Sequence, residues 1–489
     1  MTVLDVATDA SALTDALDET HRASELWAST TPLERSAALN RVASFLAERA
    51  DEAVAVAARE TLIPADRLAG EFTRTIKQVR LAAEVVAEGS WLDISITEEN
   101  AEAKPPVRDH RRMNVPLGPV LVFAASNFPF AFGVVGTDTA SAWAAGCAVV
   151  AKGHPGHPEL ARLLETLVSA ALSESGLPAA LFTLVEGDEL AVEVLKHPHI
   201  AAGAFTGSIR GGVALTRVAE ERPVPIPFYA EMGSVNPVIV TPRAWAARRA
   251  EIEAGLVSSM TVSNGQLCTS PGILFAPGPG VTGEHLLTLL QGTSAAPMVT
   301  ESVAREFHAG IGRLAETKGV TGVPGVTGSR DPAARSATPV LWSASVAVAR
   351  TDPSVFQERF GPSSVIVSYD DLDDVLDTID ALDGQLTASV FAEDEDDITA
   401  LVEHLGRRVG RVLLNDWPTG VAVSWSMHHG GPWPASSNAM YGSVGAEAIR
   451  RFLRPVAYQN FDEGRLPAAV QSSNPWGVSQ RVNGVAQPC

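Results

Sequence analysis

The chain has 489 residues, too many for one ordinary hydrophobic core, so two or three domains are expected. Hydrophobic residues supply 46% and charged residues 19%, the balance of a packed globular protein and not of a disordered one. With 37 basic and 57 acidic side chains the net charge is −20, which argues against nucleic acid or an anionic membrane as partner.

Residues up to about 90 read as helices. Leu39, Val42, Leu46 and Ala50 share one face, and Val79, Leu81, Ala82, Val85 and Val86 form another apolar group. Thr30, Thr31 and Pro32 before Glu34 have the form of a helix start. Residues 92–114 alternate and then become charged, ending Arg108-Asp109-His110-Arg111-Arg112, the pattern of an exposed two-stranded arm. Between Arg112 and Asp138 no side chain is charged, a stretch long enough to span a membrane. Pro116, Pro119 and Pro129, three glycines and Ser126-Asn127 argue instead for a buried strand, a loop and a helix.

From Val115 short apolar runs alternate with helical segments: 120–123, a small-residue helix from Thr137 to Gly146, 148–151, a helix near 158–175, then 181–185 and 202–205. That order indicates a parallel sheet with helices on both faces, to which 237–240 supplies a further strand. A second α/β region is expected from near residue 250. It contains a Gly- and Pro-rich loop at 320–332, strands at 364–368 and 411–414, and an acidic helix around Asp370 to Asp380. A late strand near 448–460 would complete the arm. The low periodicity after about residue 460 suggests a partly ordered tail.

The three cysteines, Cys147, Cys268 and Cys489, fit neither a disulfide framework nor a zinc knuckle, so a reducing, cytoplasmic setting is expected. The opening Met1-Thr2-Val3-Leu4-Asp5 lacks the basic and apolar segments of a signal peptide. Cys268 stands in Ser263-Asn264-Gly265-Gln266-Leu267-Cys268-Thr269, where Gly265 permits a tight turn that presents the thiol; a small buried core residue is the alternative. Glu231, in Ala230-Glu231-Met232-Gly233, is either a general base whose pKa burial raises, or a helix-end or ion-pair residue. Asn127 follows an apolar strand, where open parallel sheets bind ligands, and its amide suits an oxyanion, although Asn also simply forms turns. Phe205-Thr206-Gly207-Ser208 with Gly211-Gly212 opens a helix whose N–H groups suit a diphosphate, without the G-x-G-x-x-G spacing.

These four segments in this order, with Glu358-Arg359-Phe360-Gly361-Pro362, resemble the aldehyde dehydrogenase superfamily from the first helices to about residue 460. The resemblance implies an α/β fold with a Rossmann-type cofactor domain (1–91 and 115–233), a catalytic α/β domain (234–444), and a β-arm with tail (92–114 and 445–489) that joins subunits into a homodimer or homotetramer. It makes Cys268 the nucleophile, Glu231 the base for the hydrolytic water, and Asn127 with the Cys268 N–H the oxyanion hole. Lys152 would bind the adenosine ribose, Ser208 the diphosphate, and Glu358 the nicotinamide ribose with Phe360 packed nearby. Phe123, Ser126, Gly207 and Gly212 would complete the cofactor surface.

Departures from the family pattern leave NAD and NADP both open. Pro155 replaces an acidic residue often found three positions after the lysine, yet Asp188 and Glu189 lie in the loop after the third strand. Glu60-Thr61, Gly70-Glu71, Lys152-Gly153-His154-Pro155 and His429-Gly430-Gly431-Pro432-Trp433-Pro434 are similar to the branch that oxidises 2-oxoglutarate semialdehyde; related members take fatty aldehydes. Within that likeness Arg74 and Trp433 are candidates for touching substrate. His428-His429 either borders the pocket or lies in a solvated loop. No metal site is expected at His154 and His157, which lack a nearby carboxylate pair. An acylating enzyme would share Cys268 without needing Glu231, and a catalytically silent ligand-binding relative would not need the intact set.

Overall fold

The structure is a computed structural model that describes residues 3–5, 8–278, 284–323 and 335–487. Cys489 and most of the 320–332 loop lie outside the described residues. The N-terminal third is helical where the apolar periodicity requires it. Helix Pro32–Ala47 starts on a capping box: the Thr31 hydroxyl accepts the Glu34 N–H while the Glu34 carboxylate accepts the Thr31 N–H. It packs on the long helix Ala65–Glu88, burying Leu39, Val42 and Leu46 in one core with Leu68, Phe72 and Val79.

The first sheet has six parallel strands in the order Val3–Leu4, Phe182–Val185, Val149–Lys152, Val120–Phe123, Ala202–Thr206 and Phe228–Glu231. Its four inner strands are apolar on both sides because helices cover both faces, as the uninterrupted runs require. The charge-free stretch after Arg112 resolves into Val120–Phe123, a loop and helix Thr137–Ala145. Among the described residues no helix is long and apolar enough to cross a membrane.

The second sheet has seven strands in the order Thr321–Gly322, Val340–Ser345, Ser363–Tyr369, Ile273–Pro277, Val238–Val240, Gln385–Phe391 and Val409–Leu414. All pairs are parallel except the first. Val238–Val240 therefore belongs to the middle of this sheet, between Ile273–Pro277 and Gln385–Phe391, and not to the first, where its position in the chain suggests it. An apolar strand records its burial but not its neighbours. The acidic helix forms as Leu372–Asp380, started by the Asp371 side chain.

The arm is a sheet of five strands, ordered Leu453–Gln459, His110–Pro116, Ile94–Thr97, Gln480–Val482 and Val485–Gln487. The late strand expected near 448–460 completes the arm as Leu453–Gln459, and it is the expectation of a partly ordered tail that is corrected. The tail returns through short 3-10 turns, buries Ala469, Val470 and Val478 against the helical core, and adds two strands to the arm. Turns and three-residue strands carry no periodicity, so the sequence pattern does not reveal them.

Candidate active site

Cys268 is held at the end of a strained turn. Ser263, Asn264 and Gly265 take three successive left-handed conformations at φ 51°, 53° and 66°. At Gly265 a Cβ would stand 2.3 Å from the Gly361 carbonyl carbon, so only glycine lets the two backbones meet. Asn264 ties this turn to the Ala296 carbonyl at 2.8 Å, and the Gln266 side chain accepts the Val299 N–H at 2.8 Å. Just before strand Val238–Val240 of the second sheet, the fully buried Asn236 donates to the carbonyls of Cys268 (2.8 Å) and Ser270 (2.9 Å). The thiol itself remains partly exposed.

Glu231 ends the edge strand Phe228–Glu231 of the first sheet and is 5% exposed. The segment after residue 427 runs back along this strand, with the Met232 N–H donating to the Ala435 carbonyl and the Ser437 N–H to that of Ala230. That return brings His429, 2% exposed, between two catalytic candidates. Its Nε2 lies 2.7 Å from Glu231 Oε1, an ion-pair contact, and 3.4 Å from Cys268 Sγ, the partner with hydrogen-bond geometry. The Ser443 hydroxyl donates to the other Glu231 oxygen at 2.5 Å.

The electrostatics follow from these contacts. Burial by itself raises the Glu231 pKa, but the charge and hydrogen bond of His429, with the Ser443 hydroxyl, outweigh it and leave the carboxyl below its usual range. The raised value expected of an isolated buried carboxylate is thus corrected by a partner from a distant part of the chain. Burial lowers the His429 pKa, yet Glu231 and Cys268 overcome it and push it up to about 10. His429 is therefore an imidazolium at neutral pH. The ligand atoms of Glu231, Cys268 and His429 lie within 4.8 Å of one another, a set able to hold a divalent ion.

Asn127 is brought to the same place. Its amide Nδ2 donates to the Gln266 carbonyl at 2.9 Å, two residues before the nucleophile, and the second amide proton is left for another acceptor. The loop carrying it is held from helix Ala65–Glu88. The buried Glu71 accepts the N–H groups of Phe130 and Ala131 at 2.8 and 3.0 Å, and Arg67 donates to the Asn127 carbonyl at 2.9 Å. Glu60 lies away from the thiol, where its carboxylate accepts the Glu159 and Leu160 N–H groups at the start of helix Pro158–Glu174.

The nucleotide candidates gather at the carboxyl ends of the first sheet's strands. Lys152 ends its strand 7% exposed and pairs with Asp188, the first residue of helix Asp188–Lys196. Ser208 caps helix Ile209–Glu220 by accepting the Gly211 N–H at 3.2 Å, following Gly207. At Gly212 a Cβ would meet Met232 Sδ at 2.5 Å, so that glycine sets the close approach of helix and strand. Ser126 lies half-buried beside Asn127. Glu358 accepts the Ser234 N–H and lines one cleft with Phe360, Gly265 and Leu267. The surroundings suit a dinucleotide: the buried Thr206 hydroxyl, at the strand end before Ser208, has no protein partner.

Two candidates are placed differently. The Phe123 side chain, 7% exposed, packs edge-on to Phe205 and Phe228 within the core, which leaves only its backbone at the strand end. Trp433 turns outward at 57% exposure, with its carbonyl accepting the Gly384 N–H; His429, four residues earlier, is what that segment delivers to the thiol. Sequence reasoning leaves His429 undecided and does not single out Asn236 or Ser443. The local signal available is a His pair before Gly430-Gly431-Pro432.

Known proteins are similar to this chain over most of its length. The chain is 42% identical over 485 residues to the alpha-ketoglutaric semialdehyde dehydrogenase 2 of Azospirillum brasilense, covering 96% of this chain and 92% of that one. It is 39% identical over 463 residues to the alpha-ketoglutaric semialdehyde dehydrogenase of Acinetobacter baylyi, covering 93% and 88%. Its fold is similar to that of succinic semialdehyde dehydrogenase from Streptococcus pyogenes, solved with NADP+, with a TM-score of 0.77 at 19% identity over 92% of this chain and 95% of that one. The model of the aldehyde dehydrogenase family matches residues 3–455, and the chain belongs to that family.

Proposed function

We propose that the chain oxidises 2-oxoglutarate semialdehyde to the carboxylate through a thioester on Cys268, using NAD or NADP. The observation that carries this reading is the buried contact of His429 with both Glu231 and Cys268. The two relatives named for that semialdehyde support the substrate.

In the first half-reaction Cys268 Sγ adds to the aldehyde carbon, and the free Asn127 amide proton faces the oxyanion. The imidazolium of His429, in hydrogen-bond contact with Cys268 Sγ at 3.4 Å, stabilises negative charge on the sulfur. Lys152, Ser208, the N-terminus of helix Ile209–Glu220 and Glu358 would hold the dinucleotide, whose nicotinamide supplies the hydride acceptor when bound. Once the sulfur is acylated it carries no charge, and the His429 charge is left to face Glu231 alone. Glu231, kept ionised, takes a proton from water, and the resulting hydroxide attacks the thioester carbon. The carbon–sulfur bond breaks to give the thiolate, which returns to His429, and the acid, which leaves as the carboxylate after losing its proton to solvent; Glu231 also returns its proton to solvent.

Glu231 also separates this reading from an acylating enzyme, which has no need of a base for water. Glu231→Gln is expected to give one burst of reduced cofactor and then a stalled acyl-enzyme. Unchanged steady-state turnover in that variant removes Glu231 from the base role. We assign cofactor binding to residues 1–91 and 115–233, catalysis to 234–444, and subunit contact to the arm. Strand Leu453–Gln459 forms one outer edge of the five-stranded sheet, an edge suited to pairing in a homodimer or dimer of dimers. Light scattering that finds only monomer contradicts the assembly.

A further inference from the structure

We propose that Arg74 anchors a carboxylate at the far end of the substrate, so that the site selects ω-oxo acids over uncharged aldehydes of equal length. The inference rests on the aldehyde oxidation proposed above and specifies its substrate class.

Arg67, Glu71 and Arg74 stand at i, i+4 and i+7 on one face of helix Ala65–Glu88. Both guanidiniums feel the Glu71 charge, and Arg67 is the one paired with it. Glu71, whose side chain is 3% exposed, pairs with Arg67 at 2.8 Å and accepts two backbone N–H groups. Arg67 also donates to the Asn127 carbonyl and lies over the Phe128 ring at 4.6 Å. Its role is to hold the loop.

Arg74 has no such employment. It sits over Phe128 at 5.7 Å and Phe132 at 5.9 Å, while its Nε and Nη2 are shut off from solvent without a hydrogen-bond partner. Nε and one Nη form the fork that matches a carboxylate. Leaving two such donors buried and unpaired is costly, so the arrangement calls for a partner.

The neighbours of Arg74 connect it to the nucleophile. Phe132 lies 6.2 Å from the His429 ring, and His429 Nε2 lies 3.4 Å from the thiol, so cation, aromatic wall and nucleophile are contiguous. Burial lowers the Arg74 pKa, and the largest opposing influence is the Cys268 sulfur, with Glu71 and Glu231 behind it. Arg411, the other guanidinium that feels this sulfur, has both Nη groups committed to the carbonyls of Pro418 and Gly420. Among the described guanidiniums that feel this sulfur, Arg74 keeps Nε and Nη2 together for a bidentate anion, whereas Arg411 keeps Nε without either Nη.

The test compares 5-oxopentanoate with pentanal, which differ in the distal carboxylate and share a chain length. The preference ratio, kcat/KM for the acid over kcat/KM for pentanal, is expected to favour the acid in the native enzyme. It should fall about 10- to 100-fold in Arg74→Gln, the effect of losing a charge-assisted pair, and by less in Arg74→Lys, which keeps the charge but not the fork. A ratio that is the same in native enzyme and Arg74→Gln overturns the proposal, including the case in which both substrates weaken together. A second readout needs no turnover and no variant: glutarate should slow iodoacetamide alkylation of Cys268 in the native enzyme, and pentanamide should not. Equal protection, or none from glutarate, counts against the anchor. Native enzyme that oxidises neither aldehyde refutes the proposed function instead, whereas oxidation of both without preference refutes only Arg74.

Discussion

Replacing His429 by glutamine tests whether a buried ion pair organises this site. In the native protein the imidazolium faces Glu231 at 2.7 Å, with side-chain exposures of 1% and 6%. Removing one partner of such a pair costs about 3–5 kcal/mol, because the remaining charge stays buried. The low end, about 3 kcal/mol, is expected here, since Ser443 still donates to Glu231. The pH dependence gives the sharper signature. The folded-state pKa of His429 is raised to about 10, above the ordinary value of about 6.5. Its contribution to stability is therefore complete below about pH 6.5 and is lost as pH rises through about 10. Glu231 is lowered, so its contribution is present above the ordinary carboxyl range and is lost in acid. Thermal unfolding of both proteins at one scan rate should show a large gap near pH 7 that narrows by about pH 10.5. A gap that does not change with pH, or none at neutral pH, refutes the assignment of charge to His429.

Other outcomes follow from neighbouring contacts. Asp188→Ser removes the carboxylate paired with Lys152, and should raise the kcat/KM ratio of NADP to NAD by about tenfold or more; an unchanged ratio places Asp188 outside the 2′-phosphate's reach. Asn236→Ala strands the Cys268 and Ser270 carbonyls and puts alanine at φ 48°, so a loss of about 2–4 kcal/mol is expected by calorimetry. Zinc should inhibit by occupying Cys268, His429 and Glu231, with reversal by chelator, and His429→Gln should need about tenfold more metal.

What the sequence discloses depends on how local each feature is. The glycine before Cys268 serves a turn only three residues long, and the apolar runs of the first sheet are complete in themselves, so both can be read from neighbouring residues. The strand at Val238–Val240 is visible as a strand, but its place between Ile273–Pro277 and Gln385–Phe391 is a property of distant pairing. Glu231 is visible as an unusual carboxylate. The sign of its pKa shift is not, because His429 reaches it only through the return of residues 435–437 along its strand. The tail escapes for a related reason: its order comes from Val470 and Val478 docking on a remote core, which no short periodicity records.

The central claim is that Cys268 carries the acyl group and that the Glu231–His429 pair releases it. Glu231→Gln should be mixed with cofactor and 5-oxopentanoate, quenched after the burst, and the peptide containing Cys268 weighed. The expected result is a mass increase equal to the acyl group, on that cysteine, in an amount matching the burst. An unmodified Cys268 peptide after a full burst, or sustained turnover by Cys268→Ala, would contradict the account.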